Sequence, residues 1–267
     1  MRAPLSFRKY EGLGNDFLVV DAASEDALPP ARVTALCDRR FGVGADGVLL
    51  VLPPRSAGSA ATMRVVNADG SVPEMCGNGV RCVALHLARQ RGLREGVLTI
   101  DTDAGPRECA VHDDGDTGKV TVDMGVIRVL GERTVHVDGH PIALLLADAG
   151  NPHAILFGAF ARSDVERMGP RLATHPAFAR GSNIEFARVD AGGIDLVVWE
   201  RGCGITLACG TGACATAAVA CATGRAEVDR PIAVRLPGGT LDITIARDGR
   251  ATMRGPAKFV FSGEASL

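Results

Sequence analysis

The chain has 267 residues, 46% apolar and 22% charged, which excludes wholesale disorder and bounds it to one or two domains. Twenty-nine Lys and Arg against 31 Asp and Glu leave a net charge of −2, so there is no basic field for nucleic acid or an anionic membrane surface. Aromatics at 4% leave little for base stacking, whereas 33 glycines ask for many tight turns or close backbone approaches.

Eight cysteines are too sparse for a disulfide scaffold, and no CxxC occurs, so neither a zinc ribbon nor a thioredoxin-type motif is present. The N-terminal MRAPLSFRKYEGLGNDF lacks the apolar run of a signal peptide. The longest low-polarity stretch, Ala213 to Ala222, is about half of the roughly 20 residues that span a bilayer. A reduced, cytoplasmic protein is expected.

In chain order, Phe17 to Asp21, Val48 to Leu52 and Thr62 to Val66 are short strand-like runs, with a helix at Ala31 to Arg40 between the first two. Cys76 to Arg91 starts in a glycine loop and continues as a helix stopped by Gly92. Strands follow at Leu98 to Thr102, Glu108 to His112 and Lys119 to Asp123. Beyond residue 130 the pattern restarts, with strands near Thr134 to Val137, Ile142 to Ala147 and Ala154 to Phe157, then a helix near Arg162 to Met168.

The restart is a repeat, at an offset of about 131 to 136 residues. Gly14-Asn15-Asp16-Phe17 meets Gly150-Asn151-Pro152-His153, and Cys76-Gly77-Asn78-Gly79 meets Cys209-Gly210-Thr211-Gly212. LTIDTDAGPRECAV falls on IAVRLPGGTLDITI, and GKVTVDMG on GRATMRGP. Two similar halves follow. The helix after Cys209 is apolar and small around its whole circumference (Ala213, Ala215, Ala217, Ala218, Val219, Ala220, Ala222), so it must be buried on every side. The helix after Cys76 carries Arg81, His86, Arg89 and Arg91, which ask for an exposed stripe. A sheet curled around a central helix suits both better than a parallel βαβ layout, because the strands cluster in hairpins.

Gly42-Val43-Gly44-Ala45-Asp46-Gly47 fits GxGxxG, but a helix precedes it and a strand follows, the reverse of a dinucleotide fingerprint. His136 and His140 flank Val137-Asp138-Gly139, a hairpin turn signal, so no metal pair is expected. Cys37, Cys82, Cys109, Cys203, Cys214 and Cys221 read as packing residues or have no companion motif. Cys76 and Cys209 differ, since each precedes Gly-x-Gly at a helix start. There the unpaired amides and helix dipole lower a thiol pKa from about 8.5 into roughly 3.5–7.5, and the same amides can hold a carboxylate. Two such thiols facing a shared cleft would flank one carbon. That is the requirement for inverting a stereocentre that bears hydrogen, with a base on one face and an acid on the other. No lysine in these motifs offers a pyridoxal imine, so a racemase or epimerase working without a cofactor is the natural inference.

The stretches FRKYEGLGNDF, FGVGADG, NADGSVPEMCGNGVRC, GNPH, GSNIEF, ERGCGITLACGTGACA and GPAKFVFSG together resemble the diaminopimelate epimerase family along nearly the full chain. The resemblance implies an α+β fold of two pseudo-symmetric halves, each a mostly antiparallel strand barrel around a central helix. Residues 1–119 with 256–267 would form the half carrying Cys76, and 120–255 the half carrying Cys209. It implies interconversion of LL- and meso-diaminopimelate for lysine and peptidoglycan synthesis, with no pyridoxal phosphate, no metal, and a possible homodimer.

By the same resemblance Cys76 faces the hydrogen of the L-centre and Cys209 that of the D-centre. Gly77, Asn78, Gly210 and Thr211 cradle the reacting carboxylate. Asn15, Asn67, Asn151, Asn183, Glu200 and Arg201 hold the remaining polar groups, Arg201 gripping the distal carboxylate, while His153 and Glu200 tune the thiols. Gly47 stands where some relatives carry Gln, Cys203 and Ile205 where many have smaller and acidic residues, and Phe261 where Tyr is frequent. Three other readings compete: a proline or hydroxyproline racemase of the same fold, a redox switch joining Cys76 to Cys209, and a nucleotide-binding module resting on the misplaced GxGxxG.

Overall fold

A computed structural model describes residues 4–73 and 75–266. The chain divides into two compact units, Met1–Val122 with Gly255–Leu267, and Asp123–Arg254. The architecture is α+β, as the sequence leads one to expect.

In unit 1 the elements run β1 (Leu5–Gly12), β2 (Asn15–Asp21), α1 (Pro30–Cys37), β3 (Gly47–Leu52), β4 (Ala61–Asn67), α2 (Gly77–Gln90), β5 (Glu95–Asp101), β6 (Arg107–Asp113) and β7 (Gly118–Val126). Neighbouring strands pair in chain order. β7 lies beside β16 (Arg250–Ala265), whose residues Lys258–Ala265 pair back onto β1, so the ladder of unit 1 closes on itself. α2 threads it, touching β1, β2, β3, β4, β5 and β6.

Unit 2 repeats the plan: β8 (Arg128–Val137), β9 (His140–Asp148), β10 (Pro152–Phe157), α3 (Arg162–Ala173), β11 (Asn183–Asp190), β12 (Gly193–Glu200), the two-residue β13 (Gly204–Ile205), α4 (Gly210–Ala222), β14 (Pro231–Leu236) and β15 (Gly239–Ile245). The β8–β9 hairpin turns at Asp138 and Gly139, both at positive φ, as the turn signal between His136 and His140 leads one to expect. α4 touches β8, β9, β10, β11, β12, β14 and β15.

The sequence reading set parallel crossovers aside, and here the fold differs. Each unit holds two parallel pairs bridged by a helix: β2–β3 and β4–β5 in unit 1, β10–β11 and β12–β14 in unit 2. The hairpins and meanders that join the other neighbouring strands are antiparallel. The outer helices α1 and α3 cover apolar clusters around Val33 and Leu36, and around Val165 and Leu172. α3 approaches so closely that a Cβ on Gly169 would lie 2.6 Å from the Trp199 ring.

The exposed stripe expected on α2 is corrected. Arg81 and His86 are buried, because the barrel closes over that face too. The Arg81 guanidinium is met by carbonyls, its Nε donating to Pro256 O at 3.1 Å and its Nη1 lying 3.5 Å from Gly77 O. His86 lies between Tyr10 Oη and Asp21.

On α4 the sequence and the packing agree for Ala213, Ala215, Ala217, Ala218, Val219 and Ala220, all buried, but not for Ala222, which is exposed because the helix leaves the strands in its last turn. Small side chains let the strands wrap tightly, leaving no room for growth. Ala217→Leu should therefore destabilise by about 1–3 kcal/mol, lowering Tm by roughly 2–4 °C per kcal/mol for a chain of this size. Calorimetry would read it, with the exposed Glu166→Ala on α3 as a control expected within about 0.5 kcal/mol of the parent.

Candidate active site

Each repeat places a cysteine at the N-cap of its central helix. Cys76 (φ −137°, ψ 99°) and Cys209 (φ −126°, ψ 106°) are extended, and the chain turns helical at the following glycine. Each sulfur accepts the amide proton three residues on, Gly79 N–H at 3.3 Å and Gly212 N–H at 3.4 Å. The sulfur thus takes the part that a hydroxyl or carboxylate oxygen ordinarily takes in satisfying a first-turn donor. Glycine at that third position is required by space. A Cβ on Gly79 would lie 3.3 Å from Cys76 Sγ and 2.9 Å from Leu49, and one on Gly212 3.2 Å from Cys209 Sγ and 3.0 Å from Glu185 Oε1.

The surroundings of Cys209 overturn the expectation of a lowered pKa there. The thiol is buried, and burial, reinforced by the charges of Glu200 and Glu185, pushes it well above its ordinary value. Thr211 Oγ1 at 3.5 Å and the Gly212 amide pull the other way without prevailing. Cys209 is therefore a neutral thiol at rest. Glu200 accepts a hydrogen bond from Thr206 Oγ1 at 2.5 Å, while burial holds the Glu200 carboxyl above its usual range.

Hydrogen bonds link the other expected residues of unit 2. His153 Nε2 lies 2.8 Å from Asn151 Oδ1, and Asn183 Oδ1 accepts the Arg201 backbone amide at 2.9 Å. Asn183 Nδ2 donates to Pro152 O, tying the starts of β10 and β11 together. Arg201 Nη1 donates to Arg180 O at 2.7 Å from an otherwise exposed side chain.

In unit 1 the Asn78 amide, buried in the first turn of α2, donates to Asn15 Oδ1 at 3.1 Å, and Asn15 Nδ2 donates to Asp46 Oδ2 at 2.7 Å. Asp46 and Asp16 are clamped by Arg39, and Asp16 also by Lys9. These bonds hold Asp16 below the usual carboxylate range, although its burial works against them. Asn67, at the end of β4, donates to Ser71 Oγ in its own turn. Gly47 lies against β4 so closely that a Cβ would meet Val66 O at 2.7 Å, so no side chain reaches a ligand from there without a backbone shift.

The GxGxxG segment is the connection from α1 to β3, with Gly44 at positive φ, and opens no helix. The sequence reading missed Asp46 and Glu185. The signal for Glu185 was a lone acid inside the apolar run Asn183–Ala187, all five of whose residues are buried.

The fold recurs among amino-acid racemases and epimerases. A probable proline racemase from Agrobacterium radiobacter superposes with TM-score 0.75 over 98% of this chain and 93% of that one, at 18% identity. A hydroxyproline epimerase from Agrobacterium vitis gives 0.74 at 18% identity, over 99% of this chain and 93% of that one; these are likenesses of fold. At the level of sequence, the diaminopimelate epimerase family profile matches residues 7–130 and 145–260, one block per repeat. The diaminopimelate epimerase of Synechocystis sp. is 45% identical over 98% of this chain and 99% of its own length, and that of Desulfitobacterium hafniense 42% over 96% of each. The chain belongs to the diaminopimelate epimerase family.

Removing the Glu200 charge should ease ionisation of Cys209. Alkylation of Cys209 by iodoacetamide at pH 8, followed by peptide mass spectrometry, should be slow in the parent and faster in Glu200→Gln. An equal or slower rate would contradict the electrostatic account.

Proposed function

We propose that the chain is an isomerase interconverting LL- and meso-2,6-diaminopimelate without a cofactor, with Cys76 and Cys209 as its acid/base pair. The observation that carries this is the duplicated sulfur-capped helix N-terminus in a chain of this family. An α-hydrogen leaves as a proton to one thiolate, and the carbanion's electron pair delocalises into the adjacent carboxylate. The other thiol then delivers a proton to the opposite face. Amides at Gly77 and Asn78, and at Gly210 and Thr211, aim partial positive charge at a carboxylate where that charge develops.

Cys209, neutral at rest, is suited to donate, which leaves Cys76 the part of base in the direction that starts from the L-centre. Glu200, whose charge acts on the Cys209 thiol, and His153 tune it. Arg201 can hold the distal carboxylate by a two-pronged bond, and Asn15, Asn67, Asn151 and Asn183 supply the remaining polar contacts. A second carboxylate and amine suit this donor set better than proline does.

Either Cys76→Ala or Cys209→Ala should lower epimerisation by at least about 10²-fold, since each removes one face's proton carrier. Turnover of LL-diaminopimelate in deuterium oxide, read by mass spectrometry and circular dichroism, checks this. Near-normal activity in either variant ends the two-base scheme, and α-deuteration of proline in preference to diaminopimelate ends the substrate assignment.

We place the enzyme in the cytoplasm, a reading supported by a cysteine content too sparse for a disulfide scaffold. Among the described residues no helix is long and apolar enough to cross a membrane. A homodimer is proposed through β16, which leaves Val260 and Phe261 exposed, the latter edge-on to Phe7. Sedimentation should give a two-chain mass that Phe261→Asp reduces to one; a single-chain parent would remove the dimer.

A further inference from the structure

Unit 2 buries an acid and an imidazole at the two places where unit 1 buries hydrocarbon. The parallel pairs β2–β3 and β10–β11 share one register: Phe17 lies opposite Gly47, and His153 opposite Asn183. Phe17 thus corresponds to His153 and, two residues along the partner strand, Leu49 corresponds to Glu185. The third-position glycines confirm this in space, since Gly79 abuts Leu49 and Gly212 abuts Glu185. Phe17 and Leu49 are 2% and 0% exposed, His153 and Glu185 1% and 0%. The architecture therefore needs no ionisable group at either place. A buried pair of this kind gains little stability over well-packed hydrocarbon, because desolvation offsets its attraction.

The pair is fully engaged. His153 Nδ1 lies 2.6 Å from Glu185 Oε1, and Glu185 Oε2 accepts the Ala154 amide at 3.1 Å. Asn151 Oδ1 accepts from His153 Nε2 at 2.8 Å, so that nitrogen carries a hydrogen. A second proton sits between Nδ1 and Oε1, on either atom, and the ring is held at both edges. On the other side Glu185 packs against Gly212, whose amide supports the Cys209 sulfur.

We propose that Glu185 is a positioning residue for the reaction: through the proton shared with Nδ1 it fixes the His153 ring, and through its seat under Gly212 it steadies the first turn of α4 that presents Cys209. This rests on the reading of Cys209 as an acid/base group. The role is confined to one half of the repeat, where apolar packing alone would have sufficed.

Three variants test it: Glu185→Gln, Glu185→Asp, and the double change His153→Phe with Glu185→Leu, which installs the unit 1 pair. The double variant should fold with a melting temperature at or above that of the parent, and its missing resonances assign His153 in ¹⁵N-histidine spectra. Glu185→Gln should lower kcat about 10- to 100-fold, as when a hydrogen-bond partner orienting a metal-ligating histidine is lost. KM should change less than about threefold, and the His153 nitrogens should shift as the shared proton is lost. Glu185→Asp should recover part of kcat.

Parent-like kcat in Glu185→Gln, or an unshifted His153 spectrum, would overturn the proposal. So would unfolding of both Glu185→Gln and the double variant, which would make the pair a structural requirement. A parent inactive on diaminopimelate would overturn the functional reading instead, and the imidazole spectra would still decide whether Glu185 sets the state of His153.

Discussion

One hydrogen bond, made twice, organises the functional chemistry of this chain: a backbone amide in the first turn of a buried helix donating to a cysteine sulfur at its N-cap. A first turn has amides with no partner in the helix, and in a barrel interior water cannot supply one. Cys76 and Cys209 each satisfy one of these donors, which places the sulfur at the positive end of the dipole. In the proposed scheme the partial positive charge of the first turn would face a carboxylate. Glycine follows from the same constraint, because any Cβ at the third position would crowd both the sulfur and the strand behind it.

The rest of each unit can be read as support for that seat. A helix that meets strands on all sides must be narrow, which α4 achieves with alanine and which α2 achieves while also enclosing Arg81 and His86. Enclosure of Arg81 is possible because its guanidinium is met by carbonyls of Pro256 and Gly77, so a charge that sequence patterning assigns to solvent closes the base of the first turn. The parallel crossovers serve the same end. Each central helix enters from one strand and leaves to a parallel neighbour, so its N-terminus opens at the ends of β4 and β12, where Asn67 and Glu200 stand.

Most of this was legible in the sequence, because the repeat displays the same punctuation twice and the capping motifs are local. What escaped was what depends on closure. β1 hides behind Arg8, Lys9 and Glu11, since its buried side rests on widely spaced residues such as Phe7 and Tyr10. The buried arginine on α2 and the raised pKa of Cys209 escaped for one common reason. Helix-dipole reasoning sees only the helix, whereas burial by the surrounding strands and the charges of Glu200 on β12 and Glu185 on β11 come from outside it.

The two halves therefore share a scaffold while differing in electrostatics. Among the described residues, unit 1 sets the amides of Asn15 and Asn78, the hydrocarbon of Leu49 and the Arg81 guanidinium close to its helix start. Unit 2 surrounds its seat with three ionisable groups, His153, Glu185 and Glu200. In the two-base scheme such a difference has a use, because identical thiols would have no preferred resting state. Raising one thiol leaves Cys209 holding its proton at rest. In the proposed scheme a turnover that starts from the L-centre would move a proton off Cys209, against the charges of the carboxylates, and the proton would have to be regained before the next. Duplication supplied two equivalent seats, and the buried acids of one half make them inequivalent.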